Sequence, residues 1–208
     1  MSVPVTSAHS PGPPVVSPIP GVPGAWSLSM PVHEDLRGQV WSWFQSSQTD
    51  RLRPALTPLR AAVTVSRRGA LRGIKYCDGA KYVSCLAGRV LEVVLDLREG
   101  SPGFGRPHVL QMRGGEGTAL HLPAGVGHAC LALTDGTVVA YLHESPAGTP
   151  PEASVHPLDP ALGIPWPQEL SPVLSDGDAA APSLAAAREL GLLPRFQPAP
   201  QGTGTDHQ

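Results

Sequence analysis

Hydrophobic residues along the chain fall into short runs that are rich in β-branched side chains and bounded by Gly, Pro or Asp. Runs of this length and spacing are typical of an antiparallel sandwich or barrel. Val90–Leu97 has one apolar side and one mixed side, and Gly114-Gly115 and Asp135-Gly136 indicate turns. The sequence therefore predicts an all-β domain built from these strands: Ala61–Ser66, Leu71–Cys77, Tyr82–Leu86, Val90–Leu97, His108–Met112, Thr118–Leu122, His128–Leu133 and Thr137–His143.

One helix is predicted near the end of the chain. Ser183 can cap its N-terminus, Leu184–Leu190 forms its body, and Gly191 lies where a C-terminal cap belongs. The predicted architecture is therefore an antiparallel barrel followed by a short C-terminal helix.

The two ends of the chain differ in composition from its middle. Seven of the first twenty-five residues are proline, and this stretch has no apolar periodicity. We expect residues 1–25 to form a disordered arm outside the core, residues 26–196 to form one folded domain, and residues 197–208 to form a flexible tail. A chain of 208 residues is long enough for one well-buried core.

The charge balance excludes several classes of partner. Fifteen basic residues stand against seventeen acidic residues, which argues against nucleic-acid binding and against attraction to an acidic membrane. No apolar run reaches the length that spans a bilayer. No Lys or Arg precedes Arg37, so the charged start of a secretory signal is missing. We expect a cytoplasmic protein that binds a small molecule.

Three cysteines, Cys77, Cys85 and Cys130, lie in apolar runs without CxxC spacing, which favours reduced core cysteines. Abundant Gly, Pro and Ala, with more Arg than Lys, indicate a GC-rich genome such as that of an actinobacterium. No His-x-His pair is present. We therefore expect no metal ion, although His121, His128, His143 and His156 leave a site of three imidazoles as a weaker alternative.

A series of motifs then appears in a fixed order over some four-fifths of the chain. With these motifs the chain resembles the dTDP-4-keto-6-deoxyhexose 3,5-epimerase family, which has the double-stranded β-helix or cupin fold. The resemblance implies a jelly-roll barrel, a homodimer, and no metal or other cofactor. The motifs are Asp35-Leu36-Arg37-Gly38, Gly69–Tyr76, Lys81-Tyr82-Val83, Leu95–Arg98 followed by Ser101–Gly105, Leu122–His128, His156–Pro167, and Leu174-Ser175 with Asp178.

The resemblance also implies roles for individual residues. Arg72 and His128 match residues that hold the substrate diphosphate, a task suited to a guanidinium group and an imidazole. Lys81 matches a lysine near the substrate carbonyl. Arg37 matches an arginine near the nucleotide, and Asp159 matches the aspartate that orients the catalytic base.

The sequence departs from the family at both catalytic positions. Lys75 replaces the histidine that removes the proton beside the ketone, and Pro146 and Ala147 fall where the acidic tyrosine belongs. Lysine acts as a base only when its surroundings remove its proton, and a nearby Asp159 carboxylate favours an ammonium instead. Three roles stay open for Lys75: an ion pair with Asp159, a catalytic amine, or an electrostatic anchor for a ligand.

Positions that would read the nucleotide have changed as well. The family's Arg-Gly-x-Phe-x-Glu is replaced by Arg37-Gly38-Gln39-Val40-Trp41-Ser42, and its Gln-x-Asn by Arg60-Ala61-Ala62. Together with the lost base and acid, these changes favour a repurposed protein. It would direct the isomerisation or cyclisation of a non-sugar intermediate in actinobacterial natural-product biosynthesis.

In this interpretation polar anchors and apolar walls line the pocket. Arg60, Arg72, Lys75, Lys81 and His128 would hold the polar groups of the substrate, and Tyr76, Tyr141 and Trp166 would form the walls. Two alternatives remain: a nucleotide-sugar epimerase acting at carbon 3, carbon 5 or both with Lys75 as a substitute base, and a non-catalytic paralogue that binds a ligand or a partner.

Overall fold

The predicted apolar runs form strands in the computed structural model, which describes residues 13–49, 52, 55–145 and 153–198. All eight predicted strands are present, with ends within about two residues of the prediction. The strands are β1 (Val15–Pro18), β2 (Trp26–Ser29), β3 (His33–Asp35), β4 (Gly38–Val40), β5 (Arg60–Ser66), β6 (Leu71–Tyr76), β7 (Lys81–Ala87), β8 (Arg89–Asp96), β9 (Pro107–Arg113), β10 (Thr118–Leu122), β11 (Val126–Ala132), β12 (Thr137–His143) and β13 (Ala153–Ser154).

The strands form two facing antiparallel sheets. The six-stranded sheet has the order β1-β2-β10-β7-β12-β5, and the five-stranded sheet has the order β13-β6-β11-β8-β9, while β3 and β4 form a separate hairpin. This arrangement confirms the predicted all-β jelly-roll barrel of the cupin type. The chain passes between the sheets at short connections, so side chains from both sheets meet inside the barrel.

The main core fills the space between the two sheets. Val83, Leu120 and Val94 have no measurable exposure, and Val139 from β12 packs in the same cluster. A second cluster covers the outer face of the five-stranded sheet, where Ile74 and Leu95 pack beneath the C-terminal segment. The five-stranded sheet is therefore buried on both faces, which makes it a rigid wall for the groups it carries.

Short helices accompany the sheets: α1 (Ser46–Thr49), a 3₁₀ helix (Pro160–Leu162), α2 (Asp176–Ala179) and α3 (Leu184–Glu189). The 3₁₀ helix and α3 contribute Leu162 and Ala187 to the cluster on the outer face of the five-stranded sheet, and α2 contacts β6. The prediction of α3 is confirmed: the Ser183 hydroxyl accepts a hydrogen bond from the Ala186 amide, and Gly191 has a φ of 66° just beyond the helix. The observed helix ends one residue earlier than predicted.

The N-terminal segment differs from its prediction. Residues 13–25 are not an arm outside the core, because they include β1 and because Ile19 and Val22 pack in the main cluster. A Cβ atom on Gly103 would lie 1.8 Å from the Gly21 carbonyl oxygen, so this segment also fits tightly against the loop after β8. The arm was predicted from the proline-rich composition, but prolines are also compatible with an edge strand such as β1. Residues 1–12 and most of the predicted tail lie outside the described residues.

No helix in the described part of the chain is long and apolar enough to cross a membrane.

Candidate active site

Charged groups meet at one end of the barrel, where β6 and β11 lie side by side. Lys75 on β6 pairs in register with His128 on β11, and Ser154 of β13 flanks Lys75 on the other side. A register shift on β11 between His128 and Cys130 disturbs the usual alternation of side chains along this pair of strands. Lys75 faces the barrel, because adjacent residues of a strand point to opposite faces and both Ile74 and Tyr76 pack on the outer face.

Lys75 forms an ion pair with Asp178. Its Nζ lies 3.5 Å from Asp178 Oδ1, and the lysine side chain is 42% exposed whereas that of Asp178 is only 4% exposed. Asp178 stands in the first turn of α2, whose N-terminus Ser175 caps by accepting a hydrogen bond from the Asp178 amide. The ion pair therefore holds the end of the Lys75 side chain beside the first turn of α2.

The expected pairing of Lys75 with Asp159 is wrong. The Asp159 carboxylate accepts hydrogen bonds from the Ala161 amide at 3.0 Å and from the Leu184 amide at 2.8 Å, so it caps the 3₁₀ helix and fixes the start of α3. The position predicted for Asp159 is taken by Asp178. The Leu174-Ser175-x-x-Asp178 motif carried this signal in the sequence, since a serine three residues before an aspartate is typical of a capped helix.

A second close pair, between a glutamate carboxyl group and a histidine ring, was not predicted from the sequence. Glu92 on β8 is fully buried, and its Oε1 lies 2.5 Å from Nδ1 of His128. Burial raises the pKa of Glu92 well above its ordinary value, and the charge of Lys81 offsets part of this effect. A glutamate on the inner side of an apolar strand was the available signal, because such a group is rarely buried without a partner.

Lys81 connects the two sheets at this end of the barrel. It begins β7 in the six-stranded sheet, is almost completely buried, and donates a hydrogen bond from Nζ to the Lys75 carbonyl oxygen at 3.1 Å. Its ammonium charge is thus held beside Lys75, on the opposite sheet from the Glu92 and His128 pair. Its predicted place near the substrate carbonyl stays a prediction.

The six-stranded sheet contributes aromatic groups to the same interior. Tyr141 lies 3.5 Å from both Cys130 Sγ and Thr64 Oγ1, and burial raises its pKa. His143 stacks on Tyr141 with an interplanar angle of 22°. Arg60 lies opposite His143 on β5. Tyr141 and Arg60 therefore both lie on the six-stranded wall of the barrel, and their contact with a substrate stays a prediction.

Other predicted site residues are not brought to this interior. The Tyr76 hydroxyl donates to the Leu192 carbonyl, and Trp166 Nε1 donates to the Pro157 carbonyl, so both belong to the outer cluster. Their prediction as pocket walls is wrong: both pack in the outer cluster, and Tyr76 directly follows Lys75 on β6 and so points to the opposite face of the sheet. Arg37 is exposed on the β3–β4 hairpin, where it pairs with Asp35. Arg72, by contrast, pairs in register with Cys130 of the main cluster, although its side chain is exposed and donates from Nε to Ser66 at 3.2 Å.

The replacement of the family's acidic tyrosine falls at Pro146 and Ala147, which lie outside the described residues. Among the described residues, no cluster of three or more His, Cys, Asp or Glu side chains could hold a metal ion.

Two of the three cysteines should be unreactive in the folded protein. Burial raises the pKa of the Cys85 thiol to about 11 and that of the Cys130 thiol to about 12, with the nearby Glu92 carboxylate adding to both shifts. Because the thiolate is the reactive form, both cysteines should resist iodoacetamide at about pH 8 in the native protein and react in guanidinium. Peptide mass spectrometry measures this, and labelling of native Cys130 would contradict the structure.

Taken together, the barrel and its interior define a cupin-type jelly roll whose pocket brings ammonium, imidazole and carboxylate groups together. Comparison with known proteins then identifies the family. The sequence model of dTDP-4-dehydrorhamnose 3,5-epimerase matches residues 20–186. The chain therefore belongs to the dTDP-4-dehydrorhamnose 3,5-epimerase family, as its motifs predicted, and its relatives are isomerases.

Its relatives are similar over nearly their whole length. The chain is 45% identical over 181 residues to a dTDP-4-dehydro-6-deoxyglucose 3-epimerase of Streptomyces bikiniensis, covering 85% of this chain and 92% of that protein. It is 42% identical over 184 residues to a dTDP-4-dehydrorhamnose 3,5-epimerase of Streptomyces griseus, covering 85% and 90%.

Solved structures give the same result. The crystal structure of a 3'-monoepimerase from Streptomyces bikiniensis, in complex with dTDP-quinovose, matches with a TM-score of 0.82 and 45% identity over 86% of this chain and 93% of that one. A 4-keto-6-deoxy sugar epimerase from Streptomyces spheroides matches with a TM-score of 0.83 and 35% identity over 92% and 98%.

These relatives overturn the first interpretation of function. A protein repurposed for cyclisation of a non-sugar intermediate is contradicted by close similarity to proteins named as dTDP-sugar 3-epimerases, one of which holds a dTDP-sugar. The lost histidine and tyrosine were given too much weight, because close similarity to dTDP-sugar 3-epimerases is kept despite both replacements.

Proposed function

We propose that the protein is an epimerase that inverts carbon 3, next to the ketone, of a dTDP-linked 4-keto-6-deoxyhexose. Two relatives at 45% and 44% identity are named as 3-epimerases of such a sugar, which supports carbon 3 over carbon 5. The proposal includes a cytoplasmic protein and a homodimer, as the family resemblance implies.

The reaction requires a carbon–hydrogen bond beside a carbonyl to be broken and remade on the other face. A base takes the proton, the bonding electron pair moves onto the ketone oxygen as an enolate, and an acid returns a proton from the opposite side. Cationic donors close to the ketone oxygen stabilise the negative charge as it develops. The pocket must therefore supply two proton-transfer groups and one fixed cation.

The observation that carries the proposal is the ion pair of Lys75 with buried Asp178, held at the barrel end beside Lys81. Lys75 stands at the family's proton-transfer position and keeps a carboxylate partner there. Lys81, fixed on the Lys75 carbonyl, supplies a cation for the enolate oxygen. Arg60, Arg72 and His128 provide further positive or hydrogen-bonding groups for a diphosphate.

Product analysis tests this function. The protein is incubated with dTDP-4-keto-6-deoxyglucose, the ketone is reduced with borohydride, and the released 6-deoxyhexoses are separated by chromatography. We expect sugars inverted at carbon 3, formed by the native protein and not by Lys75→Ala. Nucleotide binding without any inverted sugar would overturn the proposal in favour of the non-catalytic paralogue.

A further inference from the structure

Inversion needs groups on both faces of the reacting carbon, and Lys75 stands on one wall only. The five-stranded sheet carries Lys75, and the six-stranded sheet forms the facing wall. A second proton-transfer group should therefore come from the six-stranded sheet, at the level of Lys75. On that wall the described inward-facing groups near this end are Arg60, Lys81, Tyr141 and His143.

His143 lies at the level of Lys75. It is the last residue of β12 and pairs in register with Lys81, whose Nζ contacts the Lys75 carbonyl. After β12 the chain crosses to β13, where Ser154 pairs with Lys75. The end of β12 and Lys75, the penultimate residue of β6, thus lie on either side of Lys81 at the same end of the barrel.

These four side chains differ in their ability to transfer a proton. Arginine keeps its proton under all ordinary conditions, and Lys81 is committed to the backbone of Lys75. Burial raises the pKa of Tyr141, which makes it a poor proton donor. An imidazole exchanges a proton near neutral pH. His143 is 7% exposed, and its ring is held by stacking on Tyr141, so it is a fixed group within the pocket wall.

We propose that His143 is the second catalytic residue of the epimerase. It accepts the proton from carbon 3 on one face, and Lys75 delivers a new proton to the opposite face. This inference rests on the proposed function and names the roles within that site. A neutral imidazole of His143 takes the proton from carbon 3, and the electron pair of that bond moves onto the ketone oxygen. The Lys75 ammonium, held by Asp178, returns a proton to the opposite face.

The proton balance closes through water. After one turnover His143 is an imidazolium and Lys75 a neutral amine, and no atom of the substrate other than the carbon 3 hydrogen has been exchanged. The 42% exposure of the Lys75 side chain gives water a route to restore both groups. Arg60 and Lys81 flank His143 from β5 and β7.

Solvent exchange in the two single variants tests these roles. Each variant is incubated with dTDP-4-keto-6-deoxyglucose in deuterated water, and NMR follows deuterium at carbon 3 of the recovered substrate. Lys75→Ala keeps His143, so it should introduce deuterium with retained configuration and form little inverted sugar. His143→Ala should introduce at least about 100-fold less deuterium than the native protein, since a positioned base contributes about 10²–10⁴-fold.

His108→Ala is the matched control, because it removes an imidazole from β9, three strands away from β6 in the five-stranded sheet. It should exchange and invert the substrate at the native rate. His143→Gln is included in case the alanine variant folds poorly, and circular dichroism compares all variants.

The possible failures are distinguishable. An inert native protein would overturn the proposed function and this inference together. An active native protein whose folded His143→Ala and His143→Gln variants exchange carbon 3 normally would overturn the role of His143 alone. Loss of exchange in Tyr141→Phe, with His143→Ala unaffected, would assign the role to the tyrosine instead.

Discussion

Replacing Lys75 with alanine is expected to lower kcat for carbon 3 inversion by roughly 10²–10⁴-fold, the usual contribution of one positioned proton-transfer group. The variant loses the ammonium that Asp178 holds at the inner end of β6. The fold should survive, because the lysine side chain is partly exposed and the core on the outer face is formed by other residues of the strand, such as Ile74. Steady-state kinetics with a dTDP-4-keto-6-deoxyhexose measure the effect.

Lys75→Arg is the informative control for this prediction. Arginine keeps the positive charge beside Asp178 but does not give up a proton in proteins. If proton transfer is the role of Lys75, the arginine variant should bind substrate and remain about as inactive as the alanine variant. Near-native turnover by Lys75→Arg would show that only the charge is needed and would contradict the catalytic role.

Replacing Leu120 with alanine is expected to lower the free energy of unfolding by about 2–5 kcal/mol, the range measured for buried leucines. Leu120 on β10 has no exposed surface and lies in the cluster between the two sheets, where Val83 and Val94 are its fellow members. The substitution leaves a cavity in a region packed from both sides, so the structure can relax only in part. Denaturation by urea measures the loss.

Leu190→Ala provides the same chemical change at a surface position. Leu190 is 68% exposed at the end of α3, so its replacement should change the free energy of unfolding by no more than about 0.5 kcal/mol. Equal destabilisation by the two variants would contradict the packing described for the barrel. A large effect confined to Leu120 is the expected result.

The strands could be predicted because their signal is local. β10 and β12 begin and end at the predicted residues, since Thr118–Leu122 and Thr137–His143 are β-rich runs between clear turns. β1 and β13 were missed because they are short and their place is set by pairing with distant strands. Such pairing depends on tertiary contacts that no local pattern contains.

The site was predictable in part for the same reason. Lys75 was identified from its motif, and Asp159 was predicted as its partner. The observed partner is Asp178 on α2. Both aspartates follow the barrel in the sequence, and only the packing of α2 against β6 decides between them. Glu92 was missed because its importance depends on the neighbouring strand that presents His128. Tyr76 was misplaced because adjacent residues of a strand point to opposite faces, so Lys75 and Tyr76 do not both face the barrel.

The prediction of a new, non-sugar function gave too much weight to the loss of two catalytic groups. A pocket that binds a sugar nucleotide uses many contacts, whereas proton transfer uses two groups that other residues can replace. In the proposed mechanism Asp178 holds Lys75, Lys81 supplies a cation, and the histidine on β12 supplies the second proton-transfer group.

In the proposed activity, this barrel breaks and remakes the carbon–hydrogen bond beside the ketone of a dTDP-sugar. The most direct measurement is proton NMR of dTDP-4-keto-6-deoxyglucose incubated with the native protein in deuterated water. We expect the signal of the hydrogen on carbon 3 to disappear while a product inverted at carbon 3, carrying deuterium there, accumulates. Unchanged signals at carbons 3 and 5 after prolonged incubation would contradict the assignment of this protein as an epimerase.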